Sequence, residues 1–189
     1  MNNQRIVMLV GPDMCGKTNI AARLSLATGI RTFKASSEHK AFLGDQRQFI
    51  NDLRYADPRI LDFIKQTGTS VIFDRAYPCE WVYSKFFGRE TDEAVLRYID
   101  DGYASIGVKI IVCTRRSFVG INDDLNSNID EKALNELSRL YKEFLCTWTH
   151  CAGTTLFVDE LNNDVHREVD EIMRVMGYNR DERWVVSHL

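Results

Sequence analysis

Short apolar runs alternate along this chain with longer segments that carry apolar residues at helical spacing. The apolar and β-branched runs 6–10, 32–34, 70–74, 108–113 and 154–158 predict strands. Helical spacing predicts helices over 17–28, 45–55, 58–67, 79–87, 91–105, 130–148 and 165–176. Ile6–Val10 is apolar throughout, as in a strand covered on both faces. The alternation predicts an α/β fold, a three-layer αβα sandwich around a five-stranded parallel sheet.

Composition limits the function classes. The 189 residues are 44% hydrophobic and 27% charged, values typical of a single globular domain, which we expect to span 1–189. A formal net charge of -3 argues against a protein that coats nucleic acid by charge alone. No apolar stretch is long enough to span a membrane, and we expect no signal peptide. Five scattered cysteines indicate a reducing, cytoplasmic location rather than a disulfide framework.

A phosphate-binding motif follows the first predicted strand. Residues 11–18 fit the pattern G-x-x-x-x-G-K-[ST] without a mismatch. Glycines let consecutive backbone N–H groups turn toward phosphate oxygens, and the next helix adds the positive potential of its N-terminus. Lys17 is expected to neutralise the β- and γ-phosphates of ATP, and the Thr18 hydroxyl to ligate Mg²⁺. The predicted ATP-binding residues are Gly11, Asp13, Met14, Cys15, Gly16, Lys17 and Thr18.

Charged residues at two further strand ends favour a kinase. The strand 70–74 ends in Asp74 and Arg75, where the acid can hold Mg²⁺ or its water and the guanidinium can fork onto an acceptor phosphate. The strand 108–113 leads into Arg115 and Arg116 at the start of a polar loop. Aromatic rings follow the Asp-Arg pair, and one or two of them are expected to contact an acceptor base: Trp81, Tyr83, Phe86 and Phe87.

These motifs resemble a known family. The loop 11–18, with an acid at Asp13, resembles the phosphate loop of thymidylate kinases, and the segment 74–84 is similar to the Asp-Arg segment of thymidylate kinase-like proteins, particularly those encoded by phages. The resemblance implies a P-loop nucleoside monophosphate kinase, with Asp13 facing the sugar of the acceptor. It also implies a short lid around 115–129 with catalytic arginines, a homodimer, and the host cytoplasm for a phage-encoded chain.

The chain departs from that family at two places. The phosphate loop holds no arginine, so Arg115 or Arg116 would have to supply the missing positive charge. Lys34 stands after the second strand, where the family often has an arginine that grips the acceptor phosphate. Lysine can serve there as a point charge but not bidentately. The identity of the acceptor therefore stays open.

The leading hypothesis is transfer of the γ-phosphate of Mg²⁺·ATP to a deoxynucleoside monophosphate such as dTMP. A phosphate acceptor needs no strong base, so catalysis would be positioning plus electrostatics. The expected catalytic residues are Lys17, Asp74, Arg75, Arg115 and Arg116. The expected acceptor-binding residues are Asp13, Lys34, Arg75, Tyr77 and Glu80, and the expected Mg²⁺ ligands are Thr18 and Asp74.

Two alternatives remain. A related kinase could phosphorylate a hydroxyl, such as that of 5-hydroxymethyluracil in phage DNA, a deoxynucleoside or a polynucleotide end, with Asp74, Glu80 or Glu38 as the base. An NTP-binding regulatory protein would hydrolyse nucleotide slowly without an acceptor. That alternative would need a base-recognition motif such as N-K-x-D, which the sequence lacks.

Overall fold

The computed structural model describes residues 4–34, 58–121 and 129–178. Its strands are β1 (Ile6–Val10), β2 (Thr32–Phe33), β3 (Val71–Asp74), β4 (Lys109–Thr114) and β5 (Ala152–Phe157). Its helices are α1 (Lys17–Thr28), α2 (58–67), α3 (Pro78–Phe87), α4 (Glu93–Ala104), α5 (Glu131–Glu143) and α6 (Val165–Val175). A single π-helical turn, Phe144–Trp148, extends α5.

The sheet is parallel throughout and has the order β2-β3-β1-β4-β5. Helices cover both sides, with α1 packed against α6 and α3 packed against α5. The predicted fold class is therefore confirmed. Every residue of β1 is buried, as expected for the central strand of such a sandwich. The core is built from this strand, its two neighbours and the inner faces of the helices.

Most predicted elements agree with the structure to within two residues. Asp130 is the N-cap of α5, accepting a hydrogen bond from Ala133 N at 2.8 Å. The last strand begins two residues before the predicted start. The prediction missed Ala152 and Gly153 because neither residue is β-branched. Gly153 pairs against Ile110, and a Cβ on it would lie 2.7 Å from the Ile110 carbonyl oxygen. The predicted helix 45–55 lies outside the described residues, as do residues 122–128 of the predicted lid.

No helix in the described ranges has both the length and the apolar character that crossing a bilayer requires.

Gly11 occupies a position that no other residue can take without a shift of the backbone. It follows β1 with φ +136°, and a Cβ built on it would lie 2.0 Å from the carbonyl oxygen of Cys113 in β4. The carbonyl belongs to the main chain of β4, so it cannot move away without disturbing the sheet. The start of the phosphate loop is thus pressed directly against the neighbouring strand.

We predict that Gly11→Ala lowers the free energy of unfolding by about 3 kcal/mol or more, because a buried backbone contact must be broken. Gly29→Ala is the matched control. It also places alanine at a positive φ, 71°, but a Cβ there has no atom within 4 Å. The control should cost only about 1 kcal/mol. Urea unfolding of both variants measures the difference, and equal losses would contradict the steric explanation.

Candidate functional site

The carboxyl ends of all five strands open onto one edge of the sheet. The loop after the central strand β1 is the phosphate loop. In the strand order, the ends of β2 and β3 lie on one side of this loop and the ends of β4 and β5 lie on the other. Lys34 after β2 and the pair Asp74–Arg75 at the end of β3 lie on one side. Arg115 after β4 and the turn 158–164 after β5 lie on the other. In open parallel sheets this edge is where ligands bind.

The phosphate loop has the backbone twists that an anion cradle needs. Met14 and Gly16 have φ values of 62° and 66°, and Gly16 is the N-cap residue of α1. Alternation of left-handed and right-handed residues turns successive N–H groups to one side. The α1 N-terminus adds its positive potential at the same point. The loop is therefore suited to a phosphate chain.

Side chains at the start of α1 meet the end of β3 at a buried carboxylate. The Thr18 hydroxyl donates to Asp74 Oδ2 at 2.9 Å, and Lys34 Nζ lies 3.8 Å from the same oxygen. Asp74 is 2% exposed, and its Oδ1 has no hydrogen-bond partner among the described residues. A buried carboxylate oxygen without a donor fits a hard cation or its water. Thr18 and Asp74 are thus the residues that could hold Mg²⁺.

Lys17 is buried beneath the loop, where its ammonium donates to the Pro12 carbonyl. Cys15 is also buried, and burial raises the pKa of its thiol to about 11 although Lys17 and Arg115 oppose the rise. Cys15 is therefore a protonated packing residue rather than a reactive thiol. Its contribution to phosphate binding can come only from its backbone N–H.

Asp13 joins the phosphate loop to the Asp-Arg segment. One of its carboxylate oxygens accepts from the Arg75 guanidinium, and the other accepts from the Tyr83 hydroxyl at 3.2 Å. Burial by itself would raise the pKa of Asp13, but the charges of Arg75 and Lys17 and the two hydrogen bonds hold it below its ordinary value. Arg75 itself has φ 72°, a strained backbone that aims its side chain at the loop.

The two arginines after β4 point to different places. Arg115 Nε donates to the Met14 carbonyl at 3.1 Å, so its guanidinium lies on the phosphate loop. Arg116 instead pairs with Glu160 and lies over the ring of Phe157, 4.6 Å from its centroid. The sequence could not distinguish them. The structure brings Arg115 to the site and leaves Arg116 on the surface.

A cavity of about 170 Å³ lies beside the loop on the β4–β5 side. It is bounded by the loop and α1 on one side and by the turn after β5 and the first turn of α6 on the other. Its lining residues are Cys15, Gly16, Asn19, Arg115, Val158, Asn163, Val165 and Glu168. No sequence motif marks Asn163 or Glu168, so the sequence analysis missed both.

Two predicted acceptor contacts, Tyr77 and Glu80, are buried and hydrogen-bonded to other side chains. Tyr77 is 1% exposed, and its hydroxyl donates to the buried Asp100 carboxylate while its ring stacks on Tyr103. The structure therefore places Tyr77 in the core, not in the cleft. Glu80 is also buried, with one oxygen accepting from Ser84 and the other from Arg89.

Of the aromatic candidates, Tyr83 contacts the phosphate loop, through the hydrogen bond from its hydroxyl to Asp13. Phe87 stacks on Tyr83 at 6.0 Å and is 53% exposed. Trp81 packs in the core against Phe144. The site thus has one ring that binds Asp13 and one that extends this aromatic surface toward solvent.

No family model matches the chain, and no curated protein matches it. Among solved structures, the chain resembles the YorR protein from Bacillus subtilis, solved in complex with phosphorylated GDP, with a TM-score of 0.63 and 24% identity over 90% of this chain and 94% of that one. It also resembles deoxyadenosine kinase from M. mycoides (TM-score 0.53, 16% identity, 90% and 98% covered) and thymidylate kinase from Candida albicans (0.55, 14%, 91% and 92%). The chain has the P-loop kinase fold.

At these identities the P-loop kinase fold is what the likenesses establish. The site described above occupies the edge of the sheet at which that fold holds its phosphate loop. The roles of the individual residues are argued from their contacts.

We predict that Asp13 contributes stability that depends on pH. Its folded-state pKa lies below the unfolded value, so the contribution is complete above about pH 6 and is lost as acid protonates the carboxylate. Asp13→Asn should therefore cost about 1 kcal/mol near neutral pH and almost nothing near about pH 2.

Denaturant unfolding of wild type and variant across this pH range measures the effect. Tyr83→Phe is the control, because it removes one hydrogen bond but leaves the ion pair with Arg75. Its cost should change far less with pH. A loss for Asp13→Asn that stays constant down to acid pH would contradict the prediction.

Proposed function

We propose that this protein is a nucleotide kinase that transfers the γ-phosphoryl group of a Mg²⁺-bound purine nucleoside triphosphate, ATP by the family resemblance, to a nucleotide acceptor of the deoxynucleoside monophosphate class. The observation that carries the proposal is the contact between Thr18 and Asp74, which joins the phosphate loop to the neighbouring strand end around a carboxylate oxygen that no described residue satisfies.

The phosphate loop and its neighbouring residues would bind different parts of the donor. Backbone N–H groups of 13–18 and the α1 N-terminus would bind the β- and γ-phosphates, and Lys17 would leave the Pro12 carbonyl to neutralise them. Thr18 and Asp74 would hold Mg²⁺, which when bound neutralises the developing charge on the phosphates. Arg115, already on the loop, would stabilise charge on the transferring group.

The acceptor would lie on the β2–β3 side. An oxygen of its phosphate attacks the γ-phosphorus, the bond from that phosphorus to the β,γ-bridging oxygen breaks, and the products are two nucleoside diphosphates. Lys34 and Arg75 supply the positive charge for the acceptor phosphate. No base is needed, because the attacking oxygen already carries negative charge. Asp13 and Tyr83 lie beside Arg75, where they would contact the acceptor sugar.

A hydroxyl acceptor is the second candidate, and one observation favours it. Asp13 forms an ion pair with the Arg75 guanidinium. This pair lowers the net positive charge presented to an acceptor phosphate. In that case the unpartnered oxygen of Asp74 would serve as the general base. Parallel transfer assays with labelled γ-phosphate against deoxynucleoside monophosphates, deoxynucleosides and hydroxymethylated DNA distinguish the two candidates by the product that carries the label.

We predict that Asp74→Asn lowers the transfer rate by about 10³-fold, because the amide keeps the bond to Thr18 but loses the negative charge that holds Mg²⁺. Lys17→Ala should have an effect of similar size. Asp62→Asn, an exposed acid on α2, is the control and should leave transfer unchanged. Near-wild-type transfer by Asp74→Asn would remove Mg²⁺ binding from the proposal.

The two arginines after β4 provide a second prediction. Arg115→Ala should lower turnover by about 10²-fold, because its guanidinium lies on the phosphate loop, whereas Arg116→Ala should stay within about twofold of wild type. The two substitutions remove the same charge from adjacent positions, so they control for each other. Equal effects on turnover would contradict the assignment.

A further inference from the structure

Glu168, in the first turn of α6, is a buried acid that the proposed mechanism does not use. The residue is 4% exposed and lines the cavity beside the phosphate loop. Its carboxylate has no hydrogen bond and no ion pair within 4.0 Å among the described residues. Burial raises the pKa of Glu168; the charge of Arg115 across the cavity opposes that rise, and the charge of Asp164 adds to it. A carboxylate that opens onto a cavity without protein donors needs a ligand or water to supply them.

The order of the strands indicates which part of a bound donor would face this cavity. Thr18 and Asp74 mark the γ-phosphate end of the donor on the β3 side of the loop. A triphosphate bound along the loop therefore leaves its nucleoside toward β4 and β5, where the cavity lies. About 170 Å³ is small for a whole nucleotide but suits a single base, since pockets for whole drug-sized ligands measure about 300–1,000 Å³.

We propose that Glu168 reads the base of the donor and selects guanine over adenine. The inference rests on the proposed function and replaces ATP, the donor that the family resemblance implies, with a guanine nucleotide. An ionised carboxylate only accepts hydrogen bonds. Guanine offers two adjacent donors, N1–H and the 2-amino group, which match the two carboxylate oxygens. Adenine offers its 6-amino group beside the acceptor N1, so one carboxylate oxygen would face a lone pair.

The other polar residues of the cavity do not supply this selectivity. Asn19 and Asn163 carry amides, which both donate and accept and can turn to suit either purine. Arg115 only donates, and its guanidinium lies on the phosphate loop, so it does not distinguish the two bases. Glu168 is thus the residue whose chemistry distinguishes the two donors, because a mismatch leaves a buried charge facing an acceptor.

The test measures binding of fluorescent GTP, ITP and ATP analogues to the wild-type chain with Mg²⁺ at about pH 8, where a glutamate is ionised. We expect GTP to bind about tenfold or more tightly than ATP, with ITP between them because hypoxanthine keeps N1–H but lacks the 2-amino group. Glu168→Gln should weaken GTP binding about tenfold and strengthen ATP binding, because the amide both donates and accepts and so matches adenine.

Glu171→Gln is the matched control on the same helix. Glu171 pairs with Arg174 and does not line this cavity, so its variant should keep the wild-type order of donors. Wild-type protein that binds ATP as tightly as GTP overturns the inference about Glu168 without touching the proposed kinase. A Glu168→Gln variant with unchanged preference also overturns it. Failure to bind any of the three triphosphates would overturn the proposed function itself.

Discussion

The parallel pairing of β1 with β3 on one side and β4 on the other is the constraint on which the whole site depends. The register is continued past the strand ends by a hydrogen bond from Arg75 N to Leu9 O at 3.0 Å. All three strands end at one edge of the sheet. The phosphate loop therefore meets Asp74 and Arg75 on the β3 side and Arg115 on the β4 side. The close approach of Gly11 to the β4 backbone leaves little freedom in where the loop begins.

The sequence predicted the elements of this fold better than their arrangement. Alternating apolar runs and the motif 11–18 were enough for the fold class and for the loop, since both are encoded in short stretches of chain. The strand order was not predictable, because parallel strands are joined by long crossovers that leave no turn signal. For the same reason the contact of Asp13 with Arg75, between residues 62 positions apart, had no signature in either segment.

The structure places Tyr77, a predicted acceptor contact, in the core and not in the cleft, and the local backbone explains why. Tyr77 follows Arg75 by two residues, but Arg75 adopts a positive φ, and the chain enters α3 immediately afterwards. The turn sends the tyrosine down into the core, where Asp100 accepts its hydroxyl, and leaves Tyr83, almost two helical turns further on, to bind Asp13. A helix redistributes neighbouring residues to opposite faces, so short spacing from a motif is weak evidence for a place in the cleft.

The distribution of charge shows how a phosphate loop without arginine could hold a triphosphate in the proposed kinase. Within 11–18 the charges of Asp13 and Lys17 cancel, so the positive potential must come from the α1 N-terminus and from other strand ends. Asp13 engages Arg75, which leaves Lys34 on the β2 side and Arg115 on the β4 side as the flanking cations. Each lies on a different side of the phosphate loop. In the proposed kinase the loop itself would supply geometry, neighbouring strands would supply most of the charge, and the order of the strands would keep donor and acceptor apart.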